Sequence, residues 1–408
     1  MAQLKEAIVE RRAAQFSFLR DLVRTDTAID NEQPIKSIER IAAMLELLGF
    51  EAEVYDVPEE RCAAMGRPPI SNIVVREKYS DGPVVALVSH LDTAPVGDDW
   101  TIDARAGKIA DGKMFGRGVL SGKGHLAAHV FALLALRDVD AKLKGSIELH
   151  ISFDGERGGS LGAKWMIAEG IAQPDYAIVG GPAQGLVLQS AGSMSMSVDV
   201  TGKPAPILTP EHGPDAADAA TQALSRLFQF RNGLIAKKSD VPGIGAASMA
   251  IESVSGGRPG GGIPETVSFT LSRVILPEED LKQVEAQLTN LIGGTVAHVQ
   301  GARCRIRRTR LIPPMTLSRE IEPFYNILKK EVANATGFQP KYLGVAYEHE
   351  GRHYKAADIP TMMYGAGPLD PIANGMQGPD EMLELDDLHV ATQVLAQGLS
   401  VFLDRARV

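Results

Sequence analysis

Residues 83–100 read PVVALVSHLDTAPVGDDW and residues 116–124 read GRGVLSGKG. The run from Val84 to Val88 is apolar and is bounded by Gly82 and a polar turn, the pattern of a buried strand. His90 and Asp92 then stand where strand gives way to loop. That is the carboxyl end, where open α/β sheets place their sites. The second, glycine-punctuated segment feeds an amphipathic helix that begins near His125.

The flanking chain extends this pattern. Apolar residues at helical spacing predict helices over 4–24 and 37–48, the second closed by Gly49. Alternation predicts strands over 51–56 and 73–76. A strand over 145–153 runs into Asp154-Gly155-Glu156-Arg157, a helix follows over 161–169, and a short strand over 176–179 ends in Gly180-Gly181-Pro182. This rhythm predicts an α/β domain with a mixed, mostly parallel sheet flanked by helices. From Ser193 the order changes to strand, helix, strand, strand, helix, strand, with strands over 193–201, 247–253, 266–274 and 296–307. That is the ferredoxin-like order. It predicts an inserted α+β domain over 193–310, with 1–192 and 311–408 forming the α/β domain. The returning part carries helices over 321–336 and 388–403 and a strand over 361–364.

Composition excludes several classes. Among 408 residues, 44% are hydrophobic and 23% charged, as in ordinary globular proteins. The net charge of -9 and the lack of a phosphate-binding basic patch argue against a nucleic-acid partner. The arginines at 303, 305 and 307 alternate as the solvent face of a strand. Two cysteines, Cys62 and Cys304, give no disulfide framework and no cysteine metal cage, which fits a reducing cytoplasm. The first residues are too charged for a signal peptide, and no apolar run is long enough for a membrane span.

Taken together, the landmarks resemble the two-zinc amidohydrolases and metallopeptidases that include acetylornithine deacetylase, succinyl-diaminopimelate desuccinylase, aminoacylase and carboxypeptidase G. The resemblance runs nearly the whole length, inserted lid included. It implies metal-assisted amide hydrolysis, with a bridging aspartate, a glutamate base and a homodimer formed through the lid. Ser89-His90-Leu91-Asp92 matches the family His-x-Asp, which makes His90 a zinc ligand and Asp92 the carboxylate that fixes its ring. The family bridging aspartate belongs in Gly-Arg-Gly-x-x-Asp-x-Lys-Gly, and Ser121 stands at its place. In Asp154-Gly155-Glu156 the ligand Glu156 remains, but Gly155 replaces the base. Gly181 replaces the carboxylate of Gly-Glu-Pro, and Gln377 replaces the histidine ahead of Pro379-Asp380-Glu381. In the lid, Pro206 and Gly261 stand at the family histidine and asparagine. Arg352 matches the arginine that pairs with a substrate carboxylate in relatives.

Zinc needs three or four nitrogen, sulfur or oxygen donors. By resemblance His90 and Glu156 serve different zinc ions, so each site keeps one ligand of three. A tight two-zinc centre is therefore not expected, and no other cofactor is implied. The leading expectation is a homologue that no longer hydrolyses through zinc and binds a small carboxylate-bearing ligand, with Arg352 and Gln377 on the ligand side. A second expectation is metal-independent hydrolysis with Ser121 as nucleophile, His90 as base and Asp92 as orienter. A third is a residual hydrolase with one weakly held metal on His90 and Glu156. The plain alternatives are a His90–Asp92 hydrogen bond at a strand end, Glu156 in a salt bridge with Arg157, Arg117 or Lys123, and Arg352 as a structural ion-pair partner. Residues 348–353 read as an exposed loop, and His125 and His129 as helix-surface residues.

Overall fold

A computed structural model describes residues 2–209 and 213–405. The chain divides into two compact units, 1–188 with 317–342 and 349–408, and 189–316 with 343–348. The short return of 343–348 to the second unit carries no sequence signal.

The first unit is built on a mixed sheet. Its strands are β1 (Ala52–Asp56), β2 (Ser71–Lys78), β3 (Val84–His90), β4 (Ser146–Ser152) and β5 (Tyr176–Val179). They are ordered β1-β2-β4-β3-β5, and the strand Thr361–Met363 adds in parallel beside β5. The centre is parallel: β3 runs beside β4 from Val84↔Ser146 to His90↔Ser152, and beside β5 from Val85↔Tyr176 to Val88↔Val179. β1 and β2 add antiparallel at one edge. Residues Val85 to Ser89 are buried without alternation, as expected of a strand covered on both faces.

The helix Gly124–Asp138 is the largest departure from the expected patterning. It is buried continuously from Gly124 to Leu136 rather than along one stripe. It lies between the sheet and the closing helix Leu385–Arg405, so no face meets water. The stretch Val119–Asp138 is long and apolar enough to cross a membrane, but 94% of its most apolar window is buried in protein. A π-helical turn, Val119–Lys123, leads into it. The opening helix is also split, into Ala2–Glu10 and Arg12–Arg24.

The second unit holds a four-stranded antiparallel sheet: β6 (Gly192–Thr201), β7 (Met249–Gly256), β8 (Thr266–Ile275) and β9 (Arg303–Ile312), ordered β7-β8-β6-β9. With helices Ala216–Leu234 and Leu281–Val296, this is the ferredoxin-like arrangement. Asp215 and Asp280 cap the two helices by accepting N–H groups of their first turns. Residues 296–302, expected as strand, instead finish the second helix and turn into β9. Arg303, Arg305 and Arg307 are exposed on β9, alternating with half-buried Cys304 and Ile306.

Candidate functional site

The parallel strands deliver the candidate residues to one edge of the first unit. His90 ends β3, Asp154 to Glu156 follow β4, and Gly180-Gly181 follow β5. Asp92, 3% exposed, organises this edge. Its Oδ1 accepts the Gly155 N–H at 2.8 Å and its Oδ2 the Glu156 N–H at 2.9 Å. His90 Nδ1 lies 3.2 Å from both Oδ1 and the main-chain oxygen of Asp92. Both neighbours are acceptors, so Nδ1 carries the proton. Burial alone pushes the imidazole pKa down. The hydrogen bond and charge of Asp92, with Glu156 and Glu350 adding, outweigh burial and raise it to about 10.

Gly155 is packed against that ring. A Cβ at 155 would lie 2.3 Å from His90 Cγ. Glu156 pairs with none of the three expected cations. Its Oε2 accepts a hydrogen bond from Gln377 Nε2 at 2.6 Å. Gln377 is held in the left-handed region, at φ 63°. Burial raises the Glu156 carboxyl above its usual range, and Asp92 and Glu381 add to that.

Ser121 lies in the π-helical turn. Among the described residues no hydrogen bond joins its hydroxyl to His90, so His90 and Asp92 are paired and the expected third member is not. The turn itself is fixed by Glu381, a residue that sequence reading left without a role. Glu381 Oε1 accepts the Leu120 N–H at 2.9 Å, and Oε2 accepts the Gly118 N–H at 3.1 Å and Arg117 Nη1 at 3.0 Å. Arg117 stacks over Trp100 at 5.1 Å. Neighbouring Asp380 accepts from the Thr101 N–H and hydroxyl, at 3.0 and 2.7 Å. The Pro379-Asp380-Glu381 motif was the available signal.

Residues 349–353 are not an exposed loop. Glu350, Gly351 and Arg352 are buried and His349 and His353 are partly buried, which leaves Glu348 exposed. The reason is a turn of helix, Gly351–Ala356, packed under the 155–159 turn. Arg352 Nη2 and His353 Nε2 both contact the Gly158 carbonyl oxygen, at 2.7 and 2.8 Å. Glu350 Oε1 accepts from the Ser152 hydroxyl at 2.6 Å.

His125 and His129 are not surface residues either. They are 7% and 0% exposed, because their helix has no solvent face. His125 Nδ1 accepts the Ala366 N–H at 3.1 Å, so its Nε2 carries the hydrogen. Its ring is clamped where a Cβ at Gly180 would come within 2.2 Å and one at Gly365 within 2.6 Å. His129 Nδ1 and the Ser89 hydroxyl share a hydrogen bond at 3.1 Å. Burial pushes both imidazoles down to about 3, so both are neutral.

These residues do not fit a two-zinc centre. Two donors on one tetrahedral zinc sit about 3.3 Å apart and must both carry free lone pairs. Glu156 and Gln377 are 2.6 Å apart and bonded directly to each other through an amide N–H. At position 181 a Cβ would come within 2.9 Å of Met363 Cβ and 3.0 Å of the Tyr364 nitrogen. Among the described residues no three His, Cys, Asp or Glu side chains are grouped to hold a metal ion.

Comparison with known proteins places the chain. Residues 86–400 match the profile of peptidase family M20/M25/M40. The chain belongs to this family. It is similar to succinyl-diaminopimelate desuccinylase of Acidiphilium cryptum, 27% identical over 388 residues that cover 92% of this chain and 95% of the relative. It is also similar to acetylornithine deacetylase of Photorhabdus laumondii, 28% identical over 218 residues, 52% of each chain. Its fold is that of an M20 family metallo-carboxypeptidase from Sulfolobus solfataricus, with TM-score 0.73 at 14% identity over 96% of this chain and 99% of that one. Human carnosine dipeptidase 1 gives TM-score 0.72 at 16% identity, over 100% and 99% of the two chains.

Proposed function

We propose that this protein is an M20-family member that has given up zinc-dependent hydrolysis and binds a small carboxylate-bearing molecule at the strand-end site. The observation that carries this reading is the packing of His90 against Gly155, where a Cβ would meet the ring at 2.3 Å. With the His90 ring where it stands, a side chain at 155 would overlap it. The direct Glu156–Gln377 hydrogen bond supports the same reading. Groups suited to a carboxylate remain: His90 Nε2 makes no hydrogen bond among the described residues, and Gln377 and Ser121 stand beside the same loops. The working form is a homodimer through the second unit, in the cytoplasm. The unpaired cysteines fit that compartment, and light scattering in solution tests the dimer.

A second reading, a metal-dependent amidohydrolase, is favoured by the family match over 86–400 and by the names of the relatives. Elemental analysis after loading with zinc or manganese separates the two. Below about one tenth of an equivalent supports the first reading. One or two equivalents, with turnover of N-acyl amino acids, overturns it in favour of the second.

A further inference from the structure

We propose that a small cavity lined by Asp92 and by Asp154 and Arg157 of the loop after β4 is a binding site for the carboxylate head of a small organic acid. The cavity lies wholly in the first unit and measures about 30 Å³. That is room for about two waters, or for the two oxygens of one carboxylate. Its walls include Thr27, Pro34, Arg67, Asp92, Asp154 and Arg157.

The donors on these walls are underused. The Arg67 side chain is only 18% exposed, yet its Nε has no hydrogen-bond partner. Its Nη2 makes only a 3.5 Å contact with the Arg157 carbonyl oxygen, and the Asp154 Oδ1 is 4.0 Å from Nε. A guanidinium this buried ordinarily has its N–H groups paired. Thr27, 6% exposed, likewise leaves its hydroxyl without a partner. Arg157 commits one amino group to the Ile29 carbonyl. Pro34 opens the helix Pro34–Leu47, whose N-cap residue Gln33 supplies no side-chain cap. That end adds partial positive charge.

The acceptors, by contrast, are mostly occupied. Asp92 holds the Gly155 and Glu156 N–H groups and His90. Asp154 Oδ2 holds the Leu161 N–H at 2.8 Å, which leaves Oδ1 as the one carboxylate oxygen facing Arg67. The Arg67 Nε–H can only donate, so its missing partner is an acceptor. A planar carboxylate fits both the volume and the guanidinium fork. This site shares Asp92 and Asp154 with the strand-end site, but its unpaired donors, Arg67 and Thr27, lie outside it, and it stands whether or not that reading holds.

Acetate is the probe, titrated into the full chain against chloride at constant ionic strength, with Tm and calorimetric heat as readouts. The wild type should show a saturable acetate-specific response. Arg67→Gln and Thr27→Val should each weaken it by roughly tenfold. Asp154→Asn keeps an oxygen for the Leu161 N–H and removes the competing charge, so it should tighten binding, a gain that misfolding does not produce. A wild type that answers acetate and chloride alike overturns the proposal, the cavity then holding water only. So does a response that survives Arg67→Gln and Thr27→Val but disappears in Gln377→Ala, which assigns acetate to the strand-end site.

Discussion

His90 and Gly155 are in contact such that any side chain at 155 would overlap the imidazole, its Cβ lying 2.3 Å from His90 Cγ. Asp92 makes this contact rigid, because one carboxylate holds both the ring and the N–H of Gly155. The lack of a side chain at 155 and the position of the His90 ring are therefore coupled.

Gly155→Ala therefore destabilises the fold by about 1–3 kcal/mol, the range for overpacking a filled site. Gly155→Glu costs at least as much and does not restore hydrolysis. Urea denaturation checks the cost. An unchanged midpoint for Gly155→Ala would mean that the ring swings aside freely, and the contact would lose its meaning.

The Asp92–His90 pair has a defined pH signature. The folded imidazole titrates near 10, above its ordinary unfolded value, so its stabilisation is full below about pH 6.5 and is lost as pH rises through about 10. Ring proton shifts should show His90 still charged at pH 8. In Asp92→Asn the titration should fall back toward neutrality. A wild-type His90 that titrates near 6.5 refutes the pairing.

The buried helix histidines act in the opposite sense. His125 and His129 titrate near 3 when folded, so the unfolded chain binds more protons below about pH 6.5. Stability should fall as pH drops from about 6.5 toward 3. His129→Gln, which leaves the helix intact, should flatten that acid arm in unfolding midpoints measured across the range. An arm of unchanged steepness would show that other groups drive it.

Glu381 and Arg117 are 1% and 5% exposed and bridge at 3.0 Å. Removing one partner strands a buried charge, so Glu381→Ala should cost about 3–5 kcal/mol. It should also loosen the 116–123 turn, seen as faster amide exchange at Gly118 and Leu120. Protection equal to wild type would show that the turn is held by something else.

Ser121→Ala tests the metal-independent hydrolase idea. The Ser121 hydroxyl makes no hydrogen bond to His90 among the described residues, so the variant should keep stability within about 0.5 kcal/mol and leave any ester or amide turnover unchanged. Loss of a measurable wild-type turnover would reinstate Ser121 as a nucleophile.

The sequence by itself determined the fold and its family. The apolar run into β3, the strand–helix alternation and the six-element insertion are local patterns set by period and turn chemistry, and they place His90, Asp92 and Glu156 at strand ends without any knowledge of contacts. The sequence also carries Ser121, Gly155, Gly181 and Gln377 as plain text. Only the tertiary structure decided what surrounds them. The helix with two histidines reads as amphipathic with both on its surface, yet the continuous burial of residues 124–136 depends on the closing helix more than 240 residues later. Residues 349–353 looked polar enough for solvent, yet they pack beneath a turn nearly 200 residues earlier. The Glu156–Gln377 bond, the Glu381 clamp and the unpaired Arg67 belong to the same class. Side-chain partnership across long sequence separations is fixed by packing, and no local spacing encodes it.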